Sequence, residues 1–174
     1  MKKKPGKRGA AYTDFMAQAY TMEIEASQRY TEFADQMEVH NNLEVAQLFR
    51  KLAGIEGLHA KRILDEMGWP SLPALPVAFA WESMEAPETA PFDSLHYLMQ
   101  PYHALEIAPR CELQAQRYFE GIAAGKAPAK VRAAAMEMAG EEREHVRLIR
   151  EWMKKVPKPA AGWDHDPDPP GTSG

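Results

Sequence analysis

In four helical stretches of this chain, acid interrupts the apolar stripe that should face a core. The first stripe reads Met16, Ala19, Glu23, Ala26, Tyr30, Phe33 and Met37, stepping by three and four. The second reads Val45, Leu48, Leu52, Glu56, His59 and Ile63. The third carries Leu98, Tyr102, Leu105, Glu112, Phe119 and Ile122, and the fourth Val131, Ala135, Met138, Glu142, His145, Ile149 and Trp152. A bare carboxylate buried in this way costs on the order of several kcal/mol unless something neutralises it. Any fold for this chain must therefore solve a charge problem at its centre.

The remaining charge lies elsewhere on the same stretches. Glu25, Gln28, Arg29, Glu32, Asp35 and Gln36 share the face opposite Glu23, where solvent suffices for them. Glu44, Lys51 and Lys61 fall outside the second stripe, and Glu106, Arg110, Gln114 and Arg117 largely outside the third. On the fourth, Glu137, Glu141, Glu144 and Glu151 form a charged flank, so Glu142 and not Glu141 is the inward acid.

Punctuation divides the chain into helical segments of about Ala11 to Val39 and Leu43 to Met67, turned by His40, Asn41 and Asn42. Gly68 to Pro91 carries Pro70, Pro73, Pro76, Pro87 and Pro91 and is too long for a tight turn, so it reads as a crossover. Asp93 caps the expected third segment, which reaches Ala124; Gly125 to Pro128 then turn the chain into a fourth from Ala129 to Val156. Two short-looped hairpins joined by one long connection give an all-α, ferritin-like four-helix bundle over residues 11–156. A crossover of that length would also let one hairpin exchange between two protomers. Residues 1–10 read as a basic flexible tail, and 157–174, rich in proline, as a disordered one. In the latter, Asp164, His165 and Asp166 are expected to be solvated rather than to hold metal.

Composition excludes several classes. A net charge of -4 argues against general phosphate-backbone binding despite Lys2, Lys3, Lys4, Lys7 and Arg8, so no nucleic-acid partner is expected. No apolar run approaches the roughly 20 residues of a spanning helix, and the basic start lacks the apolar stretch of a secretory signal. The expectation is a cytoplasmic protein without a membrane partner. Cys111 is the single cysteine, which excludes an internal disulfide or a four-cysteine metal site within these residues.

Height along the bundle tests the inward set independently. From the turn midpoint between His40 and Asn41, Glu23 lies 17.5 residues back, with Glu56 and His59 15.5 and 18.5 forward. About Lys126, Glu112 lies 14 residues back, with Glu142 and His145 16 and 19 forward. At roughly 1.5 Å per residue the members of each set are level within a few ångströms. Each Glu-x-x-His pair puts a carboxylate and an imidazole on one helical face, one turn apart. Glu56 and Glu142 are placed to bridge two ions, with Glu23 and His59 completing one set and Glu112 and His145 the other. Four carboxylates balance two divalent cations, and without metal their mutual repulsion should raise some carboxyl pKa values. Oxygen and nitrogen donors without thiolate suit iron or manganese better than structural zinc. The alternative is a bundle whose inward acids are merely hydrogen-bonded. Tyr30, seven residues after Glu23, is a core residue whose hydroxyl can orient a ligand carboxylate. His96 and His103 read as surface or cap residues, and Cys111 as packing.

At MEIEASQRYTEF, LAGIEGLHAKRIL, ALEIAPRCELQAQRYFEGIA and MAGEEREHVRLI the chain resembles the rubrerythrin branch of the ferritin-like superfamily, over roughly Ala11 to Val156. In that family an inward Glu precedes an aromatic by seven residues, as Glu23 precedes Tyr30 and Glu112 precedes Phe119 here. The resemblance implies a non-haem centre of two iron ions, oxidised by hydrogen peroxide or dioxygen, in a homodimer. It also implies a peroxidase or ferroxidase, with an iron-storage module or a manganese catalase as alternatives. Three departures stand out. This chain has no four-cysteine site, so electrons would come from a separate donor protein. Ala115 replaces a further helix-three carboxylate, leaving a symmetric set of four Glu and two His. Pro109 should kink the third helix three residues before Glu112.

Overall fold

The computed structural model describes residues 7–71 and 88–166. Four long helices dominate: α1 (Lys7–Val39), α2 (Leu43–Met67), α3 (Pro101–Ala124) and α4 (Ala129–Met153), with a short 3-10 turn at Phe92–Ser94. There is no strand among the described residues.

Local chemistry sets the helix ends. Asn41 takes the left-handed conformation with φ 57°, which asparagine tolerates, and Asn42 caps α2 by accepting the Val45 N–H at 3.4 Å. The Asn42 amide also donates to the Met99 carbonyl at 2.7 Å, tying the first turn to the segment entering α3. Gly68 ends α2 at φ 63°, and Trp69 N–H closes back on the Leu64 carbonyl at 2.9 Å.

The third helix starts later than the expected Asp93 cap. Pro101 occupies its first turn, and Gln100 and His103 satisfy each other's end reciprocally, with Gln100 N–H donating to His103 Nδ1 at 2.9 Å. Leu98 thus precedes α3, and His103 is a cap residue, as the sequence implies. Pro109 is buried inside α3 without ending it. Its missing N–H leaves the Leu105 carbonyl without its i+4 donor. At the other termini, α1 already begins at Lys7, inside the stretch expected to be a tail, and α4 stops at Met153.

Helix direction follows from which residues share a core. One buried cluster joins Tyr30, Phe33 and Met37 of α1 to Val45, Phe49 and Leu52 of α2, Leu105 and Cys111 of α3, and Ile149 of α4. A second joins Phe15, Met16 and Met22 to Ile63, to Ala115 and Phe119, and to Val131, Ala135 and Met138. The beginnings of α2 and α3 therefore lie at one end of the bundle, and these two helices run parallel. Their connection must travel the bundle's whole length. Aromatic contacts anchor both halves: Phe33 meets Phe49 edge-on at 5.3 Å, and Phe15 meets Phe119 edge-on at 6.1 Å.

Two expectations about surface are corrected. Arg29 is buried, because the chain at Glu88 to Ala90 lies over that part of α1 and the Arg29 guanidinium donates to the Ala90 carbonyl. The stretch after Pro157, though largely exposed, is held at two points: Trp163 lies against His103 at 3.7 Å between ring centroids and edge-on to His96, and the Tyr97 hydroxyl donates to Asp166. Asp164 and His165 stay exposed and join no metal-competent group among the described residues. Residues 1–6 and 167–174 lie outside the described residues, as do Pro73, Pro76 and Pro87 of the crossover.

A Cβ on Gly68 would meet nothing within 4 Å, so Gly68→Ala isolates the cost of the left-handed backbone. The expected loss is about 1 kcal/mol in urea-induced unfolding followed by circular dichroism, with an unchanged denaturant slope.

Candidate metal centre

Between the two apolar clusters lies a polar layer. Glu23 follows Met22 on α1, Glu56 lies between Ala53 and Ala60 on α2, Glu112 between Cys111 and Ala115 on α3, and Glu142 between Ala139 and Val146 on α4. All four carboxylates are at most 2% exposed. Each comes from a different helix, and all arrive at one height, as residue counting from the two turns expects.

The histidines form one side of the layer. His59 Nδ1 lies 3.2 Å from Glu56 Oε2 and 3.5 Å from Glu23 Oε2, while His145 Nδ1 lies 3.1 Å from Glu112 Oε2 and 3.2 Å from Glu142 Oε2. The two imidazoles stack face to face, 4.4 Å between centroids and 3° from parallel. Their side chains keep 19% and 16% exposure, so this is the side of the centre nearest to solvent. Glu56, His59 and His145 offer donor atoms within 4.8 Å of one another, and so do Glu112, Glu142 and His145. The six residues singled out from the sequence are thus brought together.

A seventh residue joins them that helical periodicity could not find. Glu88, on the crossover, is 1% exposed, and it offers a carboxylate oxygen within 4.8 Å of oxygens of both Glu23 and Glu56. Five buried carboxylates and two imidazoles therefore meet in this layer, one acid more than the symmetric four-Glu, two-His set that the sequence suggests. The sequence around Glu88 holds acids at Glu82 and Glu85 as well, in a proline-punctuated stretch with no helical face to choose between them.

Several polar atoms here lack hydrogen-bond partners: Glu23 Oε2, Glu112 Oε1, both oxygens of Glu88 and the Tyr30 hydroxyl. Buried carboxylate oxygens are normally satisfied, and a set of them facing two imidazole nitrogens is the donor set a pair of cations would complete. The residues present therefore fit a two-metal group.

Electrostatics agree with that reading. Burial drives the Glu23 carboxyl up from an ordinary 4.5 to about 8; His59 pulls it down, and Glu142 and Glu56 push it further up. Burial also raises Glu112 well above the usual range against the pull of His145. Desolvation works against protonated His59, yet the Glu23 and Glu56 carboxylates win and lift it to about 9. His145, desolvated too, is carried to about 11 by Glu112 and Glu142. Mutual repulsion among the acids contributes as expected, but water exclusion is the larger cause. The Cys111 thiol is pushed up to about 12 by burial, with Glu112 adding to it, which makes it a packing group and not a nucleophile.

These shifts fix a pH dependence for the metal-free protein. The folded state holds a proton on Glu23 that the unfolded chain releases near 4.5, so that contribution is complete below 4.5 and lost as pH rises through about 8. For His59 it is complete below 6.5 and lost through about 9. Both slopes have the same sign. After chelation the melting temperature should fall between about pH 6 and about pH 9, and added Mn²⁺, which displaces these protons, should restore more at the upper pH. A metal-free melting temperature that climbs over this interval would show that the layer does not store protons.

Comparison with known proteins agrees with fold and site. The family model described as Rubrerythrin matches residues 14–72, the hairpin that carries Glu23, Glu56 and His59. The crystal structure of an uncharacterized conserved protein from Magnetospirillum magnetotacticum MS-1 is 37% identical, covers 85% of this chain and 97% of its own, and superposes with a TM-score of 0.64. A search of curated proteins gives no match. With two helical hairpins, a central layer of carboxylates and imidazoles and these likenesses together, the chain belongs to the rubrerythrin family of ferritin-like proteins.

Proposed function

We propose that this protein binds two iron ions and uses them to pass electrons to hydrogen peroxide or dioxygen. The observation that carries this reading is the layer itself: four buried glutamates from four helices, with two imidazole Nδ1 atoms turned toward them at 3.1 to 3.5 Å. When bound, two ferrous ions supply two electrons, which with two protons reduce one hydrogen peroxide to two water molecules.

The chain's own residues hold and isolate that chemistry. Glu56 and Glu142, from diagonally placed helices, would be shared between the two ions, and Glu23 with His59, and Glu112 with His145, would complete one position each. The two apolar clusters above and below keep water from the layer and make each charge interaction stronger than it would be in solvent. The Tyr30 hydroxyl, fully buried and without a partner of its own, is the group that can donate to a carboxylate and fix its orientation. Oxidant enters on the side of the stacked imidazoles, where the layer is least covered. Cys111 is the one thiol among these residues and is a packing group, and on this reading a separate donor protein supplies the reducing electrons.

Anaerobic loading with ferrous iron followed by peroxide should oxidise the protein-bound iron faster than free ferrous ion, with a diferric absorption in the near ultraviolet. Glu56→Ala and Glu142→Ala should each reduce metal occupancy sharply, since each removes a shared ligand. Oxidation no faster than that of free iron would remove the enzyme and leave a binding protein. Elemental analysis of protein purified without added metal separates iron from manganese, which the same donors also suit.

A further inference from the structure

Glu88 is the one member of the layer that does not come from a helix. Its carboxylate is 1% exposed, and neither oxygen has a hydrogen-bond partner. Among the described residues no basic side chain lies within ion-pair distance of it. Its nearest charged company is other acid: Glu23 and Glu56 offer oxygens within 4.8 Å. A side chain in that position gains nothing from protein partners and loses all of its hydration, which packing alone does not explain.

The placement is built. The Arg29 guanidinium, itself buried, reaches up from α1 to the Ala90 carbonyl two residues further on, and Glu32 holds the other side of that guanidinium at 3.3 Å. Ala90 is 2% exposed, and Thr89 is buried with it. The crossover is thus fastened to α1 beside the residue it inserts. Among the described residues the opposite half of the layer receives no such addition: Glu112, Glu142 and His145 form their group from α3 and α4.

We infer that Glu88 is a fifth carboxylate ligand, delivered by the crossover to the metal position formed by Glu23, Glu56 and His59, and that it makes the two positions unequal. The inference rests on the two-ion reading above and adds to it an asymmetry that the four helices alone lack. Charge balance gives the asymmetry a use. Four carboxylates match two divalent ions, whereas a fifth leaves an excess negative charge in the reduced state and offsets more of the positive charge once the ions are oxidised. The ion beside Glu88 is the one whose oxidised form this chain favours.

The test uses full-length, metal-free protein titrated with Mn²⁺, read by calorimetry for affinity and by electron paramagnetic resonance for coupling between ions. The wild type should take up two ions with distinguishable affinities and show the spectrum of a coupled pair. In Glu88→Gln, which keeps size and removes charge, one ion should keep its wild-type affinity while the other weakens about 10-fold or more, so that a single uncoupled ion dominates at limiting metal. Glu88→Ala should do the same, with circular dichroism confirming an intact helical fold. Two ions bound by Glu88→Gln with wild-type affinities and coupling would overturn the assignment and make Glu88 a protonated packing residue. Fewer than two ions in the wild type would instead remove the two-ion reading, and Glu88 as a ligand with it.

Discussion

The structure depends on the desolvation of one layer of carboxylates. Glu23, Glu56, Glu88, Glu112 and Glu142 are each at most 2% exposed, in a bundle whose remaining interior is almost wholly apolar. Removing a carboxylate from water is unfavourable by several kcal/mol or more, far beyond what two imidazole contacts return. The layer can therefore exist in two conditions, protonated or cation-bound, and not as a set of free anions. Without metal, protons fill the role: Glu23 and Glu112 are raised by burial, and His59 and His145 stay charged well past their usual range. With metal, the same atoms become ligands and the protons leave.

Such a layer splits the core, and each half must hold on its own. The lower half relies on Phe15, Phe119 and Met22, and the upper on Tyr30, Phe33, Phe49 and Leu105. Within a hairpin, small residues bring the helices close: Ala26, Ala53 and Ala60 are buried near the layer, and Ser27 donates to the Ala53 carbonyl at 2.8 Å across α1 and α2. Between hairpins the backbones stay farther apart, because carboxylates and imidazoles fill the gap. Tight hairpins thus act as rigid jaws, and the polar layer sets their separation.

Most of this was legible because helices obey a strict period. A Glu at a core position of a 3.6-residue repeat is visible wherever its neighbours are apolar, which is how Glu23 separates from Glu25 and Glu142 from Glu141. Arg29 carries the same signal, following Met22 and Ala26 and preceding Phe33 at core spacing, but a guanidinium reads as solvent-facing in sequence, and its burial depends on the crossover that covers it. The start of α3 is harder to read because Asp93 is a good cap chemically, whereas the reciprocal Gln100 and His103 pair that does cap the helix uses residues with weaker capping preferences. Glu88 had no period to betray it. Its burial is decided by where a proline-rich connection crosses the bundle, and that is a tertiary fact.

That crossing follows from topology. Because α2 and α3 run parallel, the chain between them has to return along the full length of the bundle, and so it must pass the height of the carboxylate layer somewhere. A connection obliged to pass a charged site can either shield it or contribute to it. Here it does both: Ala90 and Thr89 close the layer against solvent, and Glu88 turns into it. Parallel pairing of the central helices thus gives this fold a ligand position that an up-down bundle with short loops would not have. Among the described residues the crossover brings one acid, Glu88, to the layer, beside Glu23 and Glu56, and the near-symmetry of the two hairpins is broken there by the connection between them.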